Sequence, residues 1–131
     1  MAKRIYTYNY SNEYDPAMPV LEVGMSLPKR NTAEITVSAL LDSGSDGTLF
    51  PVDTLEAIGA KPVGPARVHG LWGGSRSANM YLVKLYIGPQ QLFAVRVAGV
   101  RTEDECILGR NVLNQLVITL NGHAGVVEIA E

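Results

Sequence analysis

Ala39-Leu40-Leu41-Asp42-Ser43-Gly44-Ser45 sets a carboxylate where an apolar run breaks into a glycine turn. A charge at the end of a buried strand is costly unless donors face it. The turn's own N–H groups and the hydroxyls of Ser43 and Ser45 can supply them, and Gly44 admits a backbone approach that a side chain would block. The same triplet has a plain structural reading, an Asx-type turn in which Asp42 only caps the chain. A second segment, Ile107-Leu108-Gly109-Arg110-Asn111, repeats the pattern of two apolar residues, a glycine and a polar group at the start of a short helix.

The rest of the chain reads as mostly β. Short runs rich in Val, Ile, Leu and Thr are closed by Gly, Pro or Asn, which predicts strands over 20–27, 32–41, 67–71, 80–87, 91–97, 117–120 and 126–129. Helical spacing is confined to 51–58, opened by Pro51 and stopped by Gly59, and to 110–116. Residues 1–17 hold four of the six tyrosines among polar residues and end at Asp15-Pro16, which reads as an N-terminal arm; residues 18–131 read as one domain.

Composition narrows the function classes. A chain of 131 residues with 47% hydrophobic and 18% charged residues is a single globular domain and not a disordered one. A net charge of −2 with scattered basic residues gives no electrostatic footprint for nucleic acid or an anionic membrane. One cysteine, Cys106, and two histidines, His69 and His123, leave no disulfide framework and no Cys/His zinc cluster, so neither metal nor other cofactor is expected. No apolar run approaches the roughly 20 residues that span a bilayer, and residues 1–14 lack the apolar core of a signal peptide. A cytoplasmic location is the expectation.

At its two glycine motifs the sequence resembles the retroviral-type, retropepsin-like aspartic proteases. Asp42-Ser43-Gly44-Ser45-Asp46-Gly47-Thr48-Leu49 is similar to that family's Asp-Thr-Gly-Ala-Asp-Asp-Thr-Val, and Gly109-Arg110-Asn111-Val112-Leu113-Asn114-Gln115-Leu116 to its Gly-Arg-Asn-Leu-Leu-Thr-Gln-Ile. Between them, Val68-His69-Gly70-Leu71-Trp72-Gly73-Gly74-Ser75 takes the place of the flap tip that closes over substrate. The resemblance implies a single-domain acid-protease fold with a flap hairpin, and an aspartic endopeptidase acting on polypeptides without a cofactor. It makes Asp42 one half of a catalytic dyad, so that two copies form a homodimer, with Ser43 bracing the two loops. It further implies that Asp46 binds the substrate backbone and forms an ion pair with Arg110, that Gly70 and Leu71 meet the peptide, and that Leu40, Leu49, Trp72 and Ile107 wall apolar pockets. Ser45 stands where many relatives have Ala, and its hydroxyl is placed to donate to Asp42.

The chain departs from the pattern at Gly47, in the arm, and in residues 122–131, which add a strand-like run where retroviral chains stop and interleave their termini. Other readings remain. Asp42, Asp46, Gly47 and Asp53 fall at positions 1, 5, 6 and 12 of a calcium loop, but position 3 is Gly44 and a strand precedes it. The glycines of 70–74 lack the Lys-Ser/Thr ending of a phosphate loop. Cys106 sits beside Glu105, which disfavours a thiolate nucleophile. The alternative from another class is a catalytically silent module of the same fold, serving interaction or assembly.

Overall fold

The short apolar runs fold as ten strands and two short helices in a computed structural model that describes residues 3–70 and 73–131. In chain order they are β1 (Ile5–Asn9), β2 (Val20–Ser26), β3 (Ile35–Leu41), β4 (Thr48–Pro51), α1 (Val52–Ala57), β5 (Gly64–His69), β6 (Ser75–Ile87), β7 (Gln90–Val100), β8 (Ile107–Leu108), α2 (Arg110–Leu113), β9 (Val117–Asn121) and β10 (Val126–Ala130).

Alternation decides which face of each strand turns inward. In β2, Leu21, Val23 and Met25 are fully buried while Glu22 between them is exposed. Phe50 from β4, Val83, Leu85 and Ile87 from β6, Val97 from β7 and Leu108 from β8 meet them in one core. The strands run in the order β2-β3-β8-β4-β7-β6-β5, and a further pairing of β2 with β6 closes six of them into a barrel. At that seam Gly24 is required by contact, since a Cβ there would lie 2.8 Å from the Cβ of Ala33. Only the first half of β6 leaves the barrel, pairing with β5 from Gly64↔Met80 to His69↔Ser75 as a projecting hairpin.

β6 begins earlier than its apolar pattern suggests, because Ser75, Arg76, Ser77 and Asn79 are exposed and carry no hydrophobic alternation. There the ladder to β5 supplies the order that burial supplies elsewhere. β4 is likewise not among the expected strands; it has four residues and ends on a proline. α1 follows the expected signals, with Leu55 and Ile58 buried and Gly59 at φ +80° ending it. α2 is shorter than 110–116, and its last turn passes into β9 through bonds from Gln115 N–H to Val112 O and from Leu116 N–H to Leu113 O.

The segment expected as an arm contains β1, which pairs antiparallel with β10, which pairs with β9. Tyr6 and Tyr8 turn toward the barrel and pack on the Gly88 turn, where a Cβ would sit 3.3 Å from Tyr6 Cγ. Their alternation with exposed Ile5, Thr7 and Asn9 is a strand pattern written in tyrosines. The small sheet is fastened at its open end, where Glu131 N–H donates to Arg4 O (3.1 Å) and the Arg4 guanidinium meets the Glu131 carboxylate (2.7 Å). Among the described residues no helix is long and apolar enough to cross a membrane.

The Arg4 backbone N–H and then its side chain hold the Glu131 carboxyl below its ordinary value of 4.5. A carboxyl lowered by folding contributes stability that is present above its unfolded value and lost as pH falls through the folded one. Protection of the amides at the β1–β10 junction, taken relative to their intrinsic exchange at each pH, should therefore fall selectively as pH drops below about 4.5. In Arg4→Ala an NMR titration should move Glu131 only part of the way back, because the backbone donor remains. A full return, or no movement, would show that the two donors are wrongly ranked.

Candidate active site

β3 stops at Leu41 because the next residues turn too tightly to continue a ladder. Asp42 N–H donates to Leu108 O (3.1 Å), Ser45 N–H returns to Asp42 O (3.1 Å), and Gly44 N–H donates to Asp42 Oδ1 (2.9 Å). The Asx geometry is thus real, and it occupies one carboxylate oxygen. The other has no hydrogen-bond partner among the described residues. Asp42 is exposed in the single chain, so the burial expected from its place after an apolar strand does not arise in one copy.

The turn rests on the second motif. A Cβ on Gly109 would lie 2.0 Å from Gly47 O and 2.9 Å from Ser45 O, so the two backbones touch where only glycine fits. Arg110 N–H donates to Ser45 O (2.8 Å). Thr48, 1% exposed, accepts from Gly109 N–H (3.1 Å) and donates to Asn111 Oδ1 (2.7 Å), and Asn111 Nδ2 donates to Arg96 O (3.0 Å). Thr48 and Asn111 are site-building residues to which the sequence reading gives no role. A buried hydroxyl in an apolar strand, followed later by an amide just inside a helix, is the signal that marks them.

Two expected contacts are replaced. Among the described residues no ion pair joins Asp46 to Arg110; Arg110 Nη1 donates instead to Ser43 O (2.7 Å). The tight turn leaves that carbonyl without a main-chain donor, and the exposed guanidinium reaches it from the start of α2. The Ser45 hydroxyl donates to Gly47 O (2.7 Å), so it braces the turn and does not reach Asp42.

The turn opens into a cleft of about 850 Å³ that brings together Asp42, Asp46, Leu49, Gly70, Ile107 and Arg110. Leu40 is not among its lining residues; it lies in β3 beside Ile107 and donates its N–H to Cys106 O (2.9 Å). Leu71 and Trp72 lie outside the described residues. The hairpin turn next to them has Gly73 N–H bonded to Gly70 O (3.2 Å), with Gly73 at φ +83°. A second cavity of about 900 Å³ shares Leu49, Val68 and Ile107 with the first and is walled by residues 99–105. Arg76 on β6 meets Asp104 there (3.9 Å), and Tyr14 donates its hydroxyl to Glu105. That bond pushes the Tyr14 phenol up to about 12. Burial, and then the charges of Asp53 and Glu105, push the Cys106 thiol up to about 11, which keeps it protonated near neutrality. Among the described residues no three His, Cys, Asp or Glu side chains gather as a metal site.

Gly109→Ala must force the two backbones apart, at a cost of about 3 kcal/mol, or roughly 10 °C in Tm. Arg110→Ala loses one exposed charge-assisted bond, about 1 kcal/mol, well below a broken buried ion pair. Thermal melts of both variants check this order. A Gly109→Ala chain that melts with the parent would remove the backbone contact from the account.

No curated protein sequence matches the chain. Its fold is similar to a retropepsin-like aspartic protease from Rickettsia conorii, with a TM-score of 0.65 at 8% identity over 99% of this chain and 94% of that one. It is also similar to EIAV protease, solved with the inhibitor HBY-793, with a TM-score of 0.57 at 18% identity over 82% and 93% of the two chains. The aspartyl protease family model matches residues 31–112, a stretch that holds both the Asp42 turn and the Gly109–Arg110 support beneath it. By that match the chain belongs to the aspartyl protease family, and its mostly β barrel has the retropepsin-like fold.

Proposed function

We propose that the chain is an aspartic endopeptidase that works as a homodimer, each copy supplying Asp42. The observation that carries this reading is the Asp42 carboxylate itself, set in a rigid turn with one oxygen held by Gly44 N–H and facing a cleft beside a hairpin. Peptide hydrolysis by carboxylates needs two of them sharing one proton. These 131 residues contain a single Asp-Ser/Thr-Gly, and this reading draws the second carboxylate from another copy.

In this mechanism the ionised carboxylate takes a proton from a water, whose oxygen attacks the scissile carbonyl carbon, while the protonated carboxyl gives its proton to the carbonyl oxygen. Proton transfer to the amide nitrogen then lets the C–N bond break. The Gly44 N–H helps hold one oxygen of Asp42, so that little reorganisation accompanies the transfer. Gly70 and Asp46 bind the peptide main chain, Leu49 and Ile107 receive apolar side chains, and the β5–β6 hairpin with Trp72 closes over the bond. Ser43 braces the two active-site loops across the dimer axis. One cysteine and no disulfide partner fit work in the cytoplasm.

Asp42→Asn keeps the shape of the turn but cannot serve as a base. Cleavage of a denatured protein at mildly acid pH should fall by at least about a hundredfold, with circular dichroism and sedimentation unchanged. An Asn variant that cuts as fast as the parent overturns the aspartic mechanism. A parent that cuts nothing, alone or with added peptides, favours the silent module.

A further inference from the structure

We infer that Tyr14 is a positioning residue for the substrate cleft: through its bond to Glu105 it fixes the segment 101–106, and with it the depth of the apolar pocket that Leu49 and Ile107 open. The inference rests on the proposed protease reading and names a determinant of its specificity. Tyr14 lies outside residues 31–112, so the family match does not reach it.

The segment between β7 and β8 has nothing apolar with which to anchor itself. Arg101-Thr102-Glu103-Asp104-Glu105 contains four charged residues and no hydrophobic one, and of the five only Asp104 is partly buried. Packing against the core resumes at Cys106, so polar contacts set where 101–105 lies. Within the segment Asp104 N–H donates to Arg101 O (3.0 Å), which closes a turn, and Arg101 faces Glu103 at 3.7 Å. Arg76 and Tyr14 reach it from outside. Arg76, on the hairpin strand β6, meets Asp104 at 3.9 Å as an exposed, screened pair. Tyr14 donates to the Glu105 carboxylate, and a bond to a charged acceptor is the stronger tether.

Tyr14 is itself held. Ser11 N–H donates to Met18 O (2.8 Å) and Met18 N–H to Ser11 O (3.1 Å), which closes 12–17 into a tied loop. With its phenol pushed up to about 12, Tyr14 remains a donor through neutral pH.

The segment matters to the cleft because of what it closes. Leu49, Val68 and Ile107 line both the Asp42 cleft and the neighbouring cavity of about 900 Å³, which residues 99–105 wall. Ile107 directly follows the segment and pairs with Leu40 and Leu49. A long apolar side chain that enters between Leu49 and Ile107 runs on into the second cavity and meets this wall, whereas an alanine methyl stops short of it. Releasing the wall admits water and removes contacts from long side chains alone.

The test uses a pair of octapeptides identical except for Phe or Ala at the position where the chain discriminates most. They are titrated by calorimetry into the full chain carrying Asp42→Asn, so that binding is read without cleavage. Adding Tyr14→Phe should cut the preference for Phe over Ala by at least about fivefold, with the Kd of the Ala peptide little changed. Amide NMR shifts should move over 101–107 and not over 42–45. Glu105→Gln keeps an oxygen that accepts from Tyr14 and should retain the preference. Glu105→Ala should match Tyr14→Phe, and the two together should do no more than either. A role in stability alone would lower Tm and leave the Phe/Ala ratio where it was. With Asp42 in place, Tyr14→Phe should raise KM for the Phe peptide and hold kcat. A folded Tyr14→Phe chain that keeps the ratio, weakens both peptides equally, or adds in full to Glu105→Ala overturns the inference, as does a chain that binds neither peptide. Cleavage is scored separately. A chain with Asp42 that binds the pair with a Tyr14-dependent ratio and cuts neither overturns the protease reading and leaves this inference standing; one that cuts both with a ratio indifferent to Tyr14 does the reverse.

Discussion

The backbone of Gly109 lies so close to that of Gly47 that no side-chain carbon fits between them, and the site hangs on this contact. It allows Arg110 N–H to reach Ser45 O and Gly109 N–H to reach the buried Thr48 hydroxyl, so the Asp42 turn and the start of α2 behave as one body. Asn111 extends the link to the backbone of β7 at Arg96. Asp42 is thereby held by main-chain groups of β8 and of its own turn, with no charged partner among the described residues. Main-chain support of this kind does not titrate, so these bonds to the turn persist as pH changes.

Much of this was legible because close approach and turn chemistry leave few residue choices. Gly109 sits where backbone must meet backbone, Gly44 where a Cβ would crowd the Asp42 carboxylate at 3.1 Å, and the runs around them alternate clearly enough to give a mostly β reading. What sequence could not supply was direction. Arg110 donates to the Ser43 carbonyl, for which no main-chain donor is found among the described residues, and the sequence alone does not rank that acceptor above Asp46. Leu40 has the composition of a pocket wall, yet its place in β3 beside Ile107 leaves it out of the cleft lining. The polar half of β6 escaped because a ladder orders it rather than a hydrophobic face, and β1 escaped because its inward face is built of tyrosines set among polar residues.

The same physics connects the small sheet to the chemistry. A barrel that closes on itself has no need of a neighbour, and here it does close, through β2 and β6. The three-stranded sheet does not, and its edge strand β9 follows α2, which starts at the Arg110 that holds the Asp42 turn. On the proposed reading a chain folds alone and presents half a site, and a second copy supplies the other half. In such a design the rigid parts, the turn and its glycine support, are finished within each copy, while the proton-sharing pair forms only between copies.

The central claim is that one site is shared by two chains, and subunit mixing tests it most directly. Parent protein at fixed concentration is equilibrated with increasing amounts of the Asp42→Asn chain, and the cleavage rate of one peptide is followed. A shared site predicts that inactive mixed dimers accumulate, so the active fraction among all dimers falls as the square of the parent fraction. At equal amounts this leaves about half the activity of the parent alone, and further excess abolishes it. A rate set by the parent concentration alone, whatever the excess of the Asn chain, would contradict the account.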